Sequence, residues 1–232
     1  MQERTVQTGV DILRFDGFLV IVGGGAVDYE LLRELYVAGG HLVGADGGAD
    51  HIVAAGLVPE AIIGDLDSLS APDAWLGRTY LVRLPEQDTT DFEKALYSTE
   101  APLTIAMGMT GGRFDHTLAA LDAVTKHAVG RSIILVDAED VAMALTGPVE
   151  FSVPPGERVS IYPLAPIRFR RSTGLLYPLD GLRLAQGERI GTSNAAIGGP
   201  FRIEPDGRKK PWLLILDRRH LFGLAAAAAS RG

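Results

Sequence analysis

Six short apolar runs, each followed by glycine, proline or aspartate, organise the first two-thirds of the chain. The runs are apolar at successive positions rather than at alternate ones. They therefore predict strands that are buried on both faces, as in a parallel sheet covered by helices. The predicted strands cover residues 18–22, 41–45, 61–63, 80–84, 103–107 and 132–136.

Stretches with helical spacing of apolar residues lie between these runs. They predict helices over residues 29–38, 49–55, 91–98 and 115–128, the third capped by Thr89 or Thr90. Strand, turn and helix repeated in this way indicate an α/β fold. We expect an open, Rossmann-like, mostly parallel sheet with helices on both faces.

The pattern changes near Gly147 and Pro148. Val149, Phe151 and Val153 alternate with polar residues, and proline and glycine recur every few positions. Alternation of this kind predicts short antiparallel strands. We therefore expect an α/β catalytic domain over residues 1–146 and a smaller all-β sandwich over residues 147–232. The alanine-rich segment 225–229 is compatible with a helix or with a disordered tail.

Composition and charge narrow the classes of function. The 232-residue chain has a formal net charge of −7 and no cysteine. An acidic protein is a poor candidate for broad nucleic-acid binding, and thiolate metal sites and cysteine nucleophiles are excluded. No signal peptide is apparent, and apolar runs of about ten residues are shorter than the ~20 that span a bilayer. We expect a cytoplasmic protein with neither nucleic-acid nor membrane partners.

Aspartates accumulate directly after the predicted strands. Because ligands of open α/β sheets bind beyond the carboxyl ends of the strands, these carboxylates should converge on one rim. Each alone is compatible with a loop or a helix cap, but together they favour a divalent cation. Oxygen ligands favour Mg²⁺, usually bound together with phosphates. The aspartates are Asp46, Asp65, Asp67, Asp88, Asp91 and Asp115.

Glycine pairs and triplets also lie between strands and helices. They suit backbone approach to phosphate oxygens, or simply tight turns. The first triplet lacks the last glycine of a dinucleotide fingerprint, since Asp28 stands there, and no P-loop lysine pattern is present. Arg113 suits a phosphate clamp or a surface ion pair. Lys94, three residues after Asp91, suits a surface ion pair or a phosphate contact.

Several motifs in series resemble the thiamine pyrophosphokinase family. The first are Ala45-Asp46-Gly47-Gly48-Ala49 and Ile63-Gly64-Asp65-Leu66-Asp67-Ser68. Two further segments follow in the family's order. The first runs from Gln87 through Asp88, Thr90 and Asp91 to Leu96, and the second is Gly111-Gly112-Arg113-Phe114-Asp115-His116. In the C-terminal part, residues 173–179 and Thr192-Ser193-Asn194 are similar as well.

The resemblance implies a fold, a reaction and an assembly. The family transfers a pyrophosphoryl group from ATP to the hydroxyl of thiamine, giving thiamine diphosphate and AMP. It combines an α/β domain with a β-sandwich and works as a homodimer, with thiamine at the subunit interface. The cofactor expected here is Mg²⁺, with ATP as co-substrate.

The resemblance also implies roles for individual positions. The metal ligands would be Asp65, Asp67 and Asp91, and the catalytic group would comprise Asp46, Asp88, Arg113 and Asp115. The remaining expected positions are Gln87, Lys94, Tyr177, Ser193 and Asn194 for substrate, and Gly24, Gly47, Gly48, Gly111 and Gly112 for the nucleotide. One departure is Ala195-Ala196-Ile197, where many bacterial members have glutamate and a bulky aromatic residue.

Three alternatives remain open at the level of sequence. A related pyrophosphokinase would act on another alcohol, such as a hydroxymethyl pterin. A metal-dependent phosphohydrolase would use water in place of the alcohol. A non-catalytic sensor would bind a nucleotide or thiamine without releasing AMP.

Overall fold

The computed structural model describes residues 12–67, 75, 77–207 and 209–229. The chain divides into two compact units, Met1–Ala123 with Leu135–Ala138 and Val124–Ile134 with Glu139–Gly232. The domain boundary predicted at 146/147 stays a prediction. Ser68 of the second motif lies outside the described residues. So do residues 1–11, which form most of the N-terminal segment in which no signal peptide is apparent.

The first unit contains a parallel sheet. Its strands are β2 (Leu19–Val22), β3 (His41–Ala45), β4 (Ala61–Gly64), β5 (Tyr80–Arg83) and β7 (Thr104–Met107). They pair in the order β7-β2-β3-β4-β5, every pair parallel. All four residues of β2 are buried, as expected for a central strand with an uninterrupted apolar sequence. Two short strands, β1 (Leu13–Arg14) and β6 (Thr99–Glu100), form a separate parallel pair that the sequence pattern did not predict.

Four helices alternate with these strands. They are α1 (Tyr29–Val37), α2 (Gly48–Ala54), α3 (Asp91–Tyr97) and α4 (Phe114–His127), each within one residue of its predicted bounds. Asp28 caps α1 by accepting the backbone N–H groups of Glu30 and Leu31 at 3.0 and 3.2 Å. Thr90 caps α3 in the same way. The aspartate that breaks the dinucleotide fingerprint therefore serves to start a helix.

The second unit is built mainly from antiparallel strands. Strand β8 (Ile133–Val136) spans the division between the units. It is followed by β9 (Asp140–Leu145), β10 (Val149–Ser152), β11 (Arg158–Pro163), β12 (Ile167–Thr173), β13 (Arg183–Leu184), β14 (Gly191–Ala195), β15 (Pro200–Pro205) and β16 (Trp212–Asp217). Two antiparallel sets have the orders β14-β11-β16-β9 and β10-β15-β12-β13. Phe169 of one set meets Trp212 of the other edge to face, with centroids 5.4 Å apart, so that the two sets share an apolar core.

A 3₁₀ turn (Arg218–His220) and helix α5 (Leu221–Ala229) end the described chain. The alanine-rich segment 225–229 is thus helical, with Leu221, Leu224 and Ala228 buried. None of the helices in the described ranges is long and apolar enough to cross a membrane. The mixed α/β fold class is confirmed, while the Rossmann-like description and the β-sandwich domain stay predictions.

Candidate active site

The first unit gathers carboxylates at the carboxyl ends of two neighbouring strands. Asp46 follows β3 and Asp65 follows β4, and these strands pair with Ala45 opposite Ile63. The backbone N–H of Asp46 donates to the carbonyl of Ile63 at 2.9 Å, which extends the pairing by one step. Parallel strands thus bring together side chains that are about twenty positions apart in sequence.

Three carboxylates form a compact cluster there. Asp46, Asp65 and Asp67 each offer one oxygen, and the three oxygens lie within 4.8 Å of one another. Asp46 is buried and Asp67 is exposed. An all-oxygen donor set of this size fits a hard divalent cation, whose charge would offset the repulsion between the carboxylates.

One residue of the cluster and one residue between two of its members have left-handed backbone. Asp46 has φ +46° and Leu66 has φ +64°, a conformation that costs roughly 1–2 kcal/mol for residues other than glycine. Gly64 packs against Asp46, because a Cβ there would come within 2.8 Å of the Cβ of Asp46. Backbone strain of this kind concentrates at functional sites.

Asp65 is held by neighbouring donors. Gln87 Nε2 donates to Asp65 Oδ2 at 3.0 Å, and the backbone N–H of Asp67 donates to Oδ1 at 3.2 Å. Burial raises the pKa of Asp65, but these hydrogen bonds and the charge of Lys94 outweigh it and leave the pKa below its ordinary value. Asp65 therefore remains ionised, as a cation ligand must.

The burial of Lys94 excludes one of the two roles that its position in the sequence suits. Its Nζ lies 3.1 Å from Asp91 Oδ1, as the i, i+3 spacing predicts, but Lys94 is only 2% exposed and Asp91 34%. The pair is therefore not a surface ion pair. Strand β4 packs against the carboxylate of the pair, because a Cβ on Gly64 would lie 3.0 Å from Asp91 Oδ1. Lys94 thus acts as an internal counter-charge beside the carboxylates.

A cavity of about 430 Å³ opens beside the cluster. Much of its wall is glycine backbone, which leaves room for a polyanion close to N–H groups. Its lining residues are Gly23, Gly24, Gly25, Ala45, Asp46, Gly47, Asp65, Gln87, Thr89, Thr90, Asp91, Phe92, Lys94, Gly108, Met109, Thr110, Gly112, Arg113, His116 and Ala120.

The expected nucleotide-binding glycines divide into two groups. Gly24, Gly47 and Gly112 line the cavity, whereas Gly48 and Gly111 are not among the described residues that do. A Cβ on Gly48 would lie 1.9 Å from the carbonyl oxygen of Val22, so Gly48 is required for close packing of α2 against β2. Gly111 has φ +75°, which makes it a turn residue.

The expected catalytic residues are also divided. Asp46 and Arg113 line the cavity, whereas Asp88 and Asp115 are exposed and absent from its described lining. Arg113 forms a two-pronged ion pair with Asp115, at 3.1 Å from Nε to Oδ1 and 2.6 Å from Nη2 to Oδ2. These bonds raise the pKa of Arg113 and lower that of Asp115. A phosphate at Arg113 would have to compete with this carboxylate.

The expected substrate residues Tyr177, Ser193 and Asn194 belong to the second unit. The buried Asn194 side chain donates from Nδ2 to the carbonyl of Tyr177 at 2.7 Å, and its Oδ1 accepts the N–H groups of Tyr177 and Ala195, both at 2.9 Å. Asn194 thus holds the backbone beside Tyr177. The Tyr177 ring is exposed, and Ser193 has φ +60°.

Sequence reasoning missed several residues of the cavity. Thr89, Thr110, Phe92 and Met109 line it, but hydroxyl and apolar residues carry no metal or proton signal in a sequence. Thr89 and Thr110 each donate a hydroxyl proton to a carboxylate, Glu86 and Asp137 respectively. The sequence signal that could have indicated Thr89 is its position between Asp88 and Asp91 of the motif.

Comparison with known proteins finds similarity to thiamin pyrophosphokinases. Residues 33–135 match the family described as "Thiamin pyrophosphokinase, catalytic domain". The chain is 29% identical over 151 residues to thiamin pyrophosphokinase 1 of Caenorhabditis elegans, an alignment that covers 59% of this chain and 62% of that protein. Against thiamine pyrophosphokinase of Bacillus subtilis (strain 168) it is 26% identical, covering 67% of this chain and 78% of the relative.

A solved structure matches over more of the chain. The thiamin pyrophosphokinase of Geobacillus thermodenitrificans superimposes with a TM-score of 0.69 and 27% identity, covering 86% of this chain and 97% of that one. The family match includes Asp46, Asp65, Asp67 and Asp91. Residues 33–135 are therefore similar to the catalytic domain of thiamin pyrophosphokinases, and the chain resembles a solved member of that family over most of its length.

Proposed function

We propose that the protein is a thiamine diphosphokinase, which transfers the pyrophosphoryl group of ATP to the hydroxyl of thiamine and releases AMP. One observation carries the proposal. Three carboxylates within 4.8 Å of one another stand beside a glycine-walled cavity of about 430 Å³. A phosphate-binding wall next to a cation-binding rim suits a polyphosphate substrate bound with a metal.

The metal is proposed to be Mg²⁺, held by Asp65 and Asp67 together with Asp46 or Asp91. Bound there, it would neutralise charge on the phosphate oxygens. The geometry favours Asp46 as the third ligand, because its oxygen belongs to the cluster. The carboxylate of Asp91 is engaged by Lys94 instead.

The reaction needs little covalent chemistry from the protein. The thiamine hydroxyl oxygen forms a bond to the β-phosphorus, and the bond from that phosphorus to the oxygen bridging to the α-phosphate breaks, so that AMP leaves with the bridging oxygen. The hydroxyl proton passes to a carboxylate. Asp46 lines the cavity and Asp88 does not, so Asp46 is the acceptor where Asp91 is the third metal ligand, and Asp88 is the acceptor where Asp46 is.

Positively charged groups complete the proposed site. Arg113 lines the cavity and would bind phosphate oxygens on the side of the leaving group once Asp115 is displaced. Lys94 would act through Asp91, keeping the acidic rim compact. In phosphoryl transfer, positioning and charge stabilisation of this kind account for most of the rate.

The thiamine site and the assembly belong to the same proposal. Tyr177, Ser193 and Asn194 would form the side of the thiamine site supplied by the second unit, with two chains assembling as a cytoplasmic homodimer. The exposed Tyr177 ring would provide the stacking surface that Ala195-Ala196-Ile197 does not. Light scattering of the purified protein tests the dimer.

The decisive experiment is AMP release from ATP and Mg²⁺, with and without thiamine. We expect thiamine-dependent AMP in the wild type and about 10²-fold less in Asp65→Ala. Asp16→Asn, an exposed change outside the cavity, is the control. AMP with a pterin alcohol only, ATP breakdown without an acceptor, or binding without AMP would each replace the proposal with one of the alternatives.

A further inference from the structure

Glu86 lies in the loop between β5 and α3, outside the described lining of the cavity. The residues that follow it do line the cavity, beginning with Gln87 and continuing through Thr89, Thr90 and Asp91. Whatever fixes the conformation of this loop therefore fixes one wall of the site.

The Glu86 carboxylate accepts four hydrogen bonds. Its Oε2 receives the backbone N–H groups of Asp88 and Thr89 at 2.8 and 3.1 Å. Its Oε1 receives the hydroxyl of Tyr97 at 2.9 Å and the hydroxyl of Thr89. An ionised carboxylate offers about four acceptor positions, so this one is fully occupied.

These bonds link three parts of the chain. Tyr97 is the last residue of α3, so Glu86 connects the end of that helix to the loop preceding its start. The two backbone bonds fix the turn at Asp88 and Thr89. The loop then presents Gln87 to Asp65 at 3.0 Å and delivers Asp91 at the beginning of α3.

We propose that Glu86 is a positioning residue of the cation site, holding the loop so that Gln87 can orient Asp65. It touches none of the three clustered carboxylates through its own side chain in the described contacts and acts through the loop. Its effect on turnover rests on the proposed function; its effect on loop order and on metal affinity does not.

The experiment compares wild type, Glu86→Gln and a matched control. The glutamine is isosteric, but its amide nitrogen cannot accept the bonds that one carboxylate oxygen accepts. Glu60→Gln makes the same chemical change at an exposed carboxylate that pairs with His41 at 2.8 Å, outside the cavity lining. Two readouts are independent of turnover. One is the hydrogen-exchange rate of the Asp88 and Thr89 amides, and the other is a titration with Mn²⁺ in which electron paramagnetic resonance measures the free ion.

In Glu86→Gln we expect the two amides to exchange about tenfold faster. The dissociation constant for Mn²⁺ should rise about tenfold, the scale of lost outer-sphere support. If AMP is formed, its rate should recover at high Mg²⁺. Glu60→Gln should match the wild type in all three measurements.

Exchange rates and Mn²⁺ affinity in Glu86→Gln equal to those of Glu60→Gln would overturn the proposal. If Glu86→Gln does not fold, Tyr97→Phe decides, because it removes one of the four donors. We expect a smaller shift in the same direction, and unchanged exchange and affinity would overturn the proposal. A wild type that makes no AMP from ATP and thiamine refutes the proposed function but leaves these comparisons intact.

Discussion

The ammonium Nζ of Lys94 lies 3.1 Å from Oδ1 of Asp91, and Lys94 is almost completely buried. A buried ammonium is stable only when paired, and here the partner belongs to the same helix. The pair lies next to Asp65, whose pKa is raised by burial but lowered overall by hydrogen bonds from Gln87 and Asp67 and by the charge of Lys94. The charge of Lys94 therefore offsets part of the electrostatic repulsion between the neighbouring carboxylates.

Replacing Lys94 with Met tests this relationship. We expect the free energy of unfolding to fall by about 1–3 kcal/mol, because Asp91 loses its partner beside other carboxylates. Urea denaturation measures it. The double variant Lys94→Met with Asp91→Asn should lose less free energy of unfolding than the sum of the losses in the two single variants. Strict additivity would show that the pair contributes nothing.

Asp46→Asn and Asp91→Asn distinguish the two possible third ligands. The cluster geometry predicts that Asp46→Asn weakens Mn²⁺ binding at least about tenfold, whereas Asp91→Asn weakens it less, since Asp91 already has Lys94. Calorimetric titration of each variant measures this. Asp16→Asn is the control. The reverse order of the two losses would return Asp91 to the metal site.

Asn194 is predicted to act mainly on structure. Asn194→Ala removes three hydrogen bonds around Tyr177, and we expect about 2–4 kcal/mol of lost stability. Ser193→Gly is the neighbouring control and should not destabilise, because glycine accepts the φ of +60°. Thermal and urea unfolding compare them. If Asn194→Ala were as stable as the wild type, Asn194 would not hold the backbone beside Tyr177.

Acid titration should report the loop held by Glu86. The hydrogen bond from the Thr89 hydroxyl, opposed by burial and assisted by Tyr97, lowers the pKa of Glu86 from 4.5 to about 2. Because the folded-state pKa is the lower one, this stabilisation is complete above about pH 4.5 and is lost as the pH falls toward 2. Glu86→Gln should therefore lose stability less steeply across that window than the wild type. Equal slopes would contradict the assignment.

The same variant has an effect at the alkaline end. Burial, together with the hydrogen bond to Glu86, raises the pKa of Tyr97 from 10.0 to about 12. In Glu86→Gln we expect the phenol to titrate closer to 10, visible as tyrosinate absorbance. Tyr97→Phe identifies which of the six tyrosines gives the signal.

The sequence by itself determined the strands and helices of the first unit, because uninterrupted apolar runs and a capping residue such as Thr90 are local signals. It also determined that aspartates follow the strands. The pair β1 and β6 escaped it, since two-residue strands are defined by their pairing and not by a pattern.

Only the tertiary structure decided which aspartates meet. Asp46 joins Asp65 and Asp67 because β3 and β4 are neighbours in register, and sequence spacing carries no information about that register. The burial of Lys94, the use of Asn194 as a brace and the four bonds of Glu86 are likewise settled by packing. The sequence gives the chemical type of each side chain, whereas its solvent exposure and its interaction partners depend on residues that folding brings together from distant positions.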